Sequence, residues 1–301
     1  MKLRHLGMGL ALSLSVTAFA QQQKKVQTKS LAQPNAPIQQ QAQQQAAVES
    51  DLGGATSVTD SLGQSSALRF QFLHESYASA ARLNRSEKGA FTDAYNYLAV
   101  GGQVNEALTL QYRQQFLFQY NQTADAETGA HIDDGFFNFI FNKPIAFAGG
   151  EISNSVRLFI PMSDASKQDG VIQSRLYSTY SYDAGKWNLS FTFNPRVFAY
   201  TKGTRGKKIF RALYFSGFSY SVSDAFKPYL TLIYDHSYSR EGAGATNEDY
   251  FENELGLNYA FNKTLSINPY LFQKHDVRSG KGYVFLNEDE LIYTLGLSVN
   301  M

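Results

Sequence analysis

The final stretch of the chain, Leu291 to Met301, constrains the fold more than any other. It reads L-I-Y-T-L-G-L-S-V-N-M, with Leu291, Tyr293, Leu295, Leu297, Val299 and Met301 at alternate positions and Ile292, Thr294, Gly296, Ser298 and Asn300 between them. Side chains alternate across a strand, so this spacing builds a strand with one face fit for hydrocarbon and one mostly polar. Its length matches the roughly 9–11 residues a tilted strand needs to cross a bilayer. Taken alone, the stretch also fits a soluble edge strand with one buried face.

The other end bears on the choice. Lys2 and Arg4 precede an apolar run from Leu6 to Val16, followed by Thr17-Ala18-Phe19-Ala20. A basic start, a short apolar run and a small-x-small site define a secretory signal peptide, here residues 1–20. The run is too short for a spanning helix, and no apolar run of about 18 residues or more follows it. The mature chain is expected to begin near Gln21. Cysteine is absent, which removes a lipoprotein anchor, disulfides, metal thiolates and thiol catalysis together. A net charge near +1 gives no basic surface for nucleic acid.

Residues 21–66 read as a separate leader. Gln21-Gln22-Gln23, Gln39 to Gln41 and Gln43 to Gln45 alternate with Ala, Lys, Pro34 and Pro37, and Asp51 to Ser66 is rich in Gly, Ser and Thr. Such a Gln/Ala-rich segment buries too little surface to fold alone, so a disordered periplasmic leader is expected. A contact with peptidoglycan, or a fold back into the rest of the chain, is the sharper alternative.

Residues 67–301 form the third region and repeat one unit: alternating segment, tight turn, alternating segment, longer polar link. The expected strands are 67–78, 91–104, 107–120, 132–141, 151–160, 171–182, 187–200, 208–222, 227–239, 250–261, 264–277 and 288–301. Alternation is weak evidence in one segment and strong when repeated. Short turns fall at Asn105-Glu106, Asp183 to Lys186, Ser223 to Phe226 and Asn262-Lys263, with 142–150 as a longer fifth; Asn, Asp and Gly there supply turn conformations. The remaining links, 79–90, 121–131, 161–170, 201–207, 240–249 and 278–287, are longer. Pro195 and Pro269 lie inside expected strands, where proline removes a ladder donor.

This pattern resembles the bacterial outer-membrane β-barrels. Their insertion signal has a polar residue, a glycine two positions on, and apolar residues in the last and third-last places; Thr294, Gly296, Val299 and Met301 fill those positions, with Met301 where the family usually has Phe or Trp. The chain's 19 Tyr and 23 Phe suit such a barrel. The resemblance implies an all-β transmembrane antiparallel barrel of about twelve strands in a Gram-negative cell envelope. It implies outer-membrane lipid and the barrel-assembly machinery as partners. Short turns and both termini would then face the periplasm, with Tyr182, Trp187, Tyr220, Tyr259 and Phe261 as the aromatic girdle.

No catalytic, cofactor or metal site is expected. Asp235-His236-Ser237 holds three triad residue types, but neighbours in one strand point to opposite faces. The outer-membrane phospholipase, a twelve-stranded barrel with a Ser-His-Asn site on its outer wall, is a further comparison. His74-Glu75-Ser76 has its His-x-Ser spacing without the surrounding motif, so an acyl hydrolase remains a minor alternative. Asp133-Asp134, Asn247 to Asp249 and Asn287 to Glu290 offer carboxylates of the calcium-binding type, and read more simply as solvated loop ends.

The polar face carries the functional reading. With Leu, Phe and Tyr placed outward, Arg69, Arg113, Arg157, Arg175, Arg196 and Arg211 turn inward, as do Asp235, Glu252, Glu254, Glu288 and Glu290. Charges on a lipid face cost a few kcal/mol near the midplane, which gives this sorting energetic force. The expectation is a basic arc facing a shorter acidic arc across the lumen. A porin-like channel for passive diffusion of small hydrophilic solutes, with the arginines favouring anions, follows. The alternative is a structural or adhesive barrel whose arcs pair and close the lumen.

Overall fold

The computed structural model describes residues 68–85, 91–119, 129–203, 206–242 and 247–301. The expected signal peptide, 1–20, and the expected leader, 21–66, lie outside them. Strands β1 (Arg69–Ser79), β2 (Phe91–Asn105), β3 (Leu108–Gln119), β4 (Gly129–Ile132), β5 (Gly135–Phe147), β6 (Gly150–Ile160) and β7 (Val171–Ala184) form the first half. Strands β8 (Trp187–Tyr200), β9 (Lys208–Tyr220), β10 (Phe226–Ser239), β11 (Glu248–Ala260), β12 (Leu265–Asp276) and β13 (Leu291–Asn300) complete it. Two short helices, α1 (Ala80–Asn84) and α2 (Asp164–Asp169), sit in the longer links.

Each strand pairs antiparallel with its sequence neighbours, and β1 closes the ring on β13. Both β4 and β5 pair with β3, so these two segments are the halves of one stave and the thirteen strands make a closed barrel of twelve staves. Closure pairs the twelve staves edge to edge around the ring, which is what a strand-built membrane span requires. At the seam, Phe70 and Met301 exchange both main-chain hydrogen bonds, at 2.9 and 2.8 Å. Side chains sort by parity: on β7, Gln173, Arg175 and Tyr177 are buried while Ile172 and Leu176 are exposed.

Several boundaries differ from the sequence reading. The segment expected at 132–141 begins at Gly129 and breaks at Asp133-Asp134. The expected long turn at 142–150 is only Ala148-Gly149, both at positive φ (48° and 83°), the backbone of a tight hairpin turn. Pro144 sits where the β5–β6 register shifts, between Phe141 and Ile145. The last strand starts at Leu291 rather than 288.

The internal prolines are accommodated locally. Pro195 interrupts the β7–β8 ladder, and the Asn194 side-chain amide donates to the Leu176 carbonyl at 2.7 Å, supplying a donor where proline has none. Pro269 interrupts the β11–β12 ladder in the same way. At the short-turn end, the Trp187 ring packs tilted against Tyr220 (4.8 Å) and Tyr259 packs edge-to-face with Phe261 (4.9 Å), with Trp187 and Phe261 exposed.

Candidate functional site

The interior wall holds the chemistry of this barrel. Arg157 pairs with Arg175, Arg175 with Arg196, and Arg196 with Arg211, so four arginines stand side by side in one row on β6, β7, β8 and β9. All are buried, with Arg196 at 0% and Arg211 at 1% exposure. Like charges directly opposite one another in a sheet repel, so the row needs compensating contacts.

Aromatic rings supply part of them. The Arg157 guanidinium lies 5.0 Å from the Phe136 ring centre and 4.3 Å from that of Tyr177, and Arg175 lies 4.0 Å from Phe159. Arg113 on β3 extends the basic arc and shares Phe136, at 5.5 Å, with Tyr97 on its other side at 5.8 Å. A desolvated cation over a ring contributes up to about 2 kcal/mol. Neighbouring amides hold the head groups: Arg175 donates to Gln173 Oε1 (3.2 Å), Arg196 Nε to Asn194 Oδ1 (2.7 Å) and Arg113 to Gln71 Oε1 (3.4 Å).

The acidic wall begins on the next stave. Arg211 grips Asp235 with both Nε, at 2.6 Å from Oδ1, and Nη2. Lys274 on β12 joins Glu252 at 2.7 Å and Asp235 at 3.8 Å, with its ammonium 3.9 Å from the Tyr250 ring centre. Glu254 is buried beside them, and Glu75 on β1 accepts hydrogen bonds from Tyr77 (3.1 Å) and Tyr270 (3.5 Å). Basic and acidic arcs therefore meet along the β9–β10 seam rather than facing each other only across open space.

Among the lumen residues assigned from sequence, Arg69 is half-buried on β1, with the parity of Gln71. Arg113, Arg157, Arg175, Arg196, Arg211, Asp235, Glu252 and Glu254 are buried on their strands. Glu288 and Glu290 require correction: both precede β13. Glu288 is exposed and accepts from Asn84 Nδ2 at 3.1 Å. Glu290 accepts from Gln273 Nε2 (3.0 Å) and faces His275 Nδ1 (3.1 Å), on the face of β12 opposite Phe272 and Lys274. The link holding them folds against that face, with Asn253 donating to the Tyr283 hydroxyl at 2.6 Å. Burial, then the Glu290 carboxylate, pushes the Tyr283 hydroxyl pKa up.

Among the assembly residues, Thr294 is buried, Gly296 lies close under the Asn268 carbonyl, Val299 pairs with Phe72 and Leu265, and Met301 is 70% exposed. The acidic link residues have other tasks. Asp134 accepts from the main-chain N–H groups of Met162 and Ser163, both at 2.9 Å, and from Ser166 Oγ at 2.5 Å. Asp249 meets His236 and Arg278. Among the described residues no group of three or more His, Asp or Glu is arranged to hold a metal ion.

Two interior features escaped the sequence reading. Lys274 has the same parity as Phe272, which was its only signal. The aromatic packing had no sequence signal, because Phe and Tyr suit lipid as well as a packed interior: Tyr95, Tyr97, Phe136, Phe159, Tyr177 and Phe272 are buried on the same parity as the charges.

No protein-family model and no curated protein sequence matches the chain. Solved structures do. An outer membrane channel from Pseudomonas putida F1 superposes with a TM-score of 0.53 at 10% identity, over 79% of this chain and 96% of that one. OmpT, an outer membrane protein of Vibrio cholerae, in its trimer form aligns over 78% and 98% at 11% identity with a TM-score of 0.40. The KdgM porin aligns over 77% and 98% at 10% identity with a TM-score of 0.41. The chain thus has the fold of the bacterial outer-membrane β-barrels, in a closed form of twelve staves.

Proposed function

We propose that this barrel is a porin-like channel through which small hydrophilic solutes, anions above all, diffuse passively across the outer membrane. The observation that carries the reading is the row Arg157, Arg175, Arg196 and Arg211 on four adjacent interior staves. A wall of fixed charge in a low-dielectric lining focuses the field, and charged walls of one sign select the opposite ion. The likeness to an outer membrane channel supports the architecture this reading needs.

In this reading the barrel performs no chemistry on what it carries and uses no cofactor. The short turns and both termini face the periplasm, outer-membrane lipid surrounds the wall, and the assembly machinery inserts it through the last strand. The leader is then placed to touch peptidoglycan.

One observation favours the second reading, a structural barrel with a closed lumen. Arg211 with Asp235, and Lys274 with Glu252 and Asp235, tie neighbouring staves through buried ion pairs. Purified protein in planar bilayers separates the two. Discrete conductance steps support the channel, and a silent, correctly folded barrel supports the closed form.

A further inference from the structure

We propose that the outer wall of β1 and β2 carries an acyl-ester hydrolase site, with Ser76 as nucleophile, His74 as its base and Asn96 as the residue that positions the imidazole. His74 Nε2 lies 2.7 Å from Ser76 Oγ, and His74 Nδ1 lies 2.9 Å from Asn96 Oδ1. Residues i and i+2 of a strand share a face, so His74 and Ser76 stand one above the other on β1. Asn96 is the direct cross-strand partner of His74 on β2. A ring held between a hydroxyl on one nitrogen and an amide oxygen on the other is the arrangement of an activated nucleophile: base beside it, orienting group behind the base. The other well-placed histidines differ: His236 meets Asp249, and His275 meets Glu290 and the Lys281 carbonyl.

The face matters as much as the distances. Tyr77 on β1, and Tyr95 and Tyr97 on β2, alternate with these residues and are buried in the interior cluster. His74, Ser76 and Asn96 therefore lie on the outward face. There they interrupt an apolar surface. Leu297, His74, Asn96 and Phe116 form one row across four staves, and Leu295, Ser76, Ala94 and Phe118 form the next. All three polar residues are half-buried, and Leu295 and Phe118 beside them are exposed. A polar cluster on such a face is a functional marker in a membrane protein. Ser76 also lies three residues below Ser79, the last residue of β1, at the end of the barrel with the longer links.

The register shifts next to the site, between Ser76 and Ala78, whose partners on β2 are Ala94 and Phe91. Such a bulge leaves its extra residue outside the ladder.

The reaction follows from these atoms. His74 Nε2 accepts the Ser76 proton as Oγ attacks the ester carbonyl carbon. The tetrahedral adduct collapses, the C–O bond to the lipid alcohol breaks, and that alcohol leaves with the proton from Nε2. Water, losing a proton to Nε2, then attacks the acyl-Ser76 carbonyl carbon; the bond to Oγ breaks, Oγ takes that proton back from Nε2, and the fatty acid is released. Asn96 Oδ1 accepts from Nδ1–H throughout and keeps Nε2 free to act as base. Ester-linked acyl chains occur in glycerophospholipids and in lipid A, and the apolar surroundings suit either.

The test uses the full chain, refolded in detergent, with heat-modifiable migration as the folding control. A fluorophosphonate lipid analogue should add its mass to Ser76 in the wild type and not in Ser76→Ala. Fatty-acid release is measured from phosphatidylcholine micelles and separately from purified lipid A, and whichever is cleaved identifies the source of the ester. Ser76→Ala and His74→Gln should each lower the rate about a thousandfold or more while the barrel stays folded. Asn96→Ala should lower it less. Asn96→Asp should stay active and move the acid limb of the pH–rate profile to higher pH, because a carboxylate favours the imidazolium; a purely structural Asn96 would not move that limb. A folded wild type that takes no adduct and cleaves neither lipid overturns the proposal, as does an adduct without release from either.

Discussion

Replacing Asp235 by Asn is expected to destabilise the barrel by about 3 kcal/mol or more. Asp235 is 2% and Arg211 1% exposed, and two guanidinium nitrogens grip the carboxylate. At an effective dielectric of about 20, unit charges about 4 Å apart attract by about 4 kcal/mol. Removing one partner of a buried pair costs about 3–5 kcal/mol, because the other charge stays behind. Asn keeps an acceptor for Arg211, which sets the expectation at the low end. It also removes the carboxylate next to the arginine row, so Arg196 and Arg211 repel with less compensation. The assay is equilibrium unfolding by urea in lipid vesicles, with Trp187 as the fluorescent reporter. The double variant Arg211→Met with Asp235→Leu should recover most of the loss, since a well-packed apolar pair replaces a buried ion pair at little cost. A loss below about 1 kcal/mol for Asp235→Asn would refute the reasoning, because that is the range of solvated pairs. The β9–β10 junction would then be wet.

Three further outcomes are expected. Gly256→Ala should lower the unfolding midpoint, since a Cβ there would meet the phenol end of Tyr229 and the Cβ of Tyr270, both at 2.6 Å, an overpacking worth about 1–3 kcal/mol in urea unfolding. Met301→Asp, or deletion of 299–301, should abolish surface assembly as read by heat-modifiability, whereas Met301→Phe should assemble at least as well; the end of β13 closes the ring through Phe70 and Met301. Removing residues 21–66 with the signal peptide kept should leave a folded, heat-modifiable barrel, and failure to insert would show that the leader takes part in assembly.

The staves were legible because alternation repeats, and the seam because Leu291 to Met301 alternates to its end. The interior was only half legible. Arginine on a lipid face is costly, so parity assigned Arg157, Arg175 and Arg196 an inward direction. Phe and Tyr suit both lipid and a packed interior, so their direction cannot be read from apolarity; Tyr95, Tyr97 and Phe136 are buried inside. That arginines on different hairpins form one row depends on register, which bulges and tight turns such as Ala148-Gly149 set. Glu288 and Glu290 were assigned to a wall because the last strand was started too early. The His74-x-Ser76 spacing was visible, but its third member, Asn96, is brought opposite only by the β1–β2 pairing.

Selectivity tests the central claim most directly. Arg113, Arg157 and Arg196 neutralised together to Gln should shift the reversal potential of single channels in a salt gradient toward cations. Removing them strips three cations from the basic arc while Asp235, Glu252 and Glu254 stay, so the positive excess along the interior falls. A variant with the same selectivity and the same conductance as the wild type would contradict the account, because the basic row would then not line the path that solutes take.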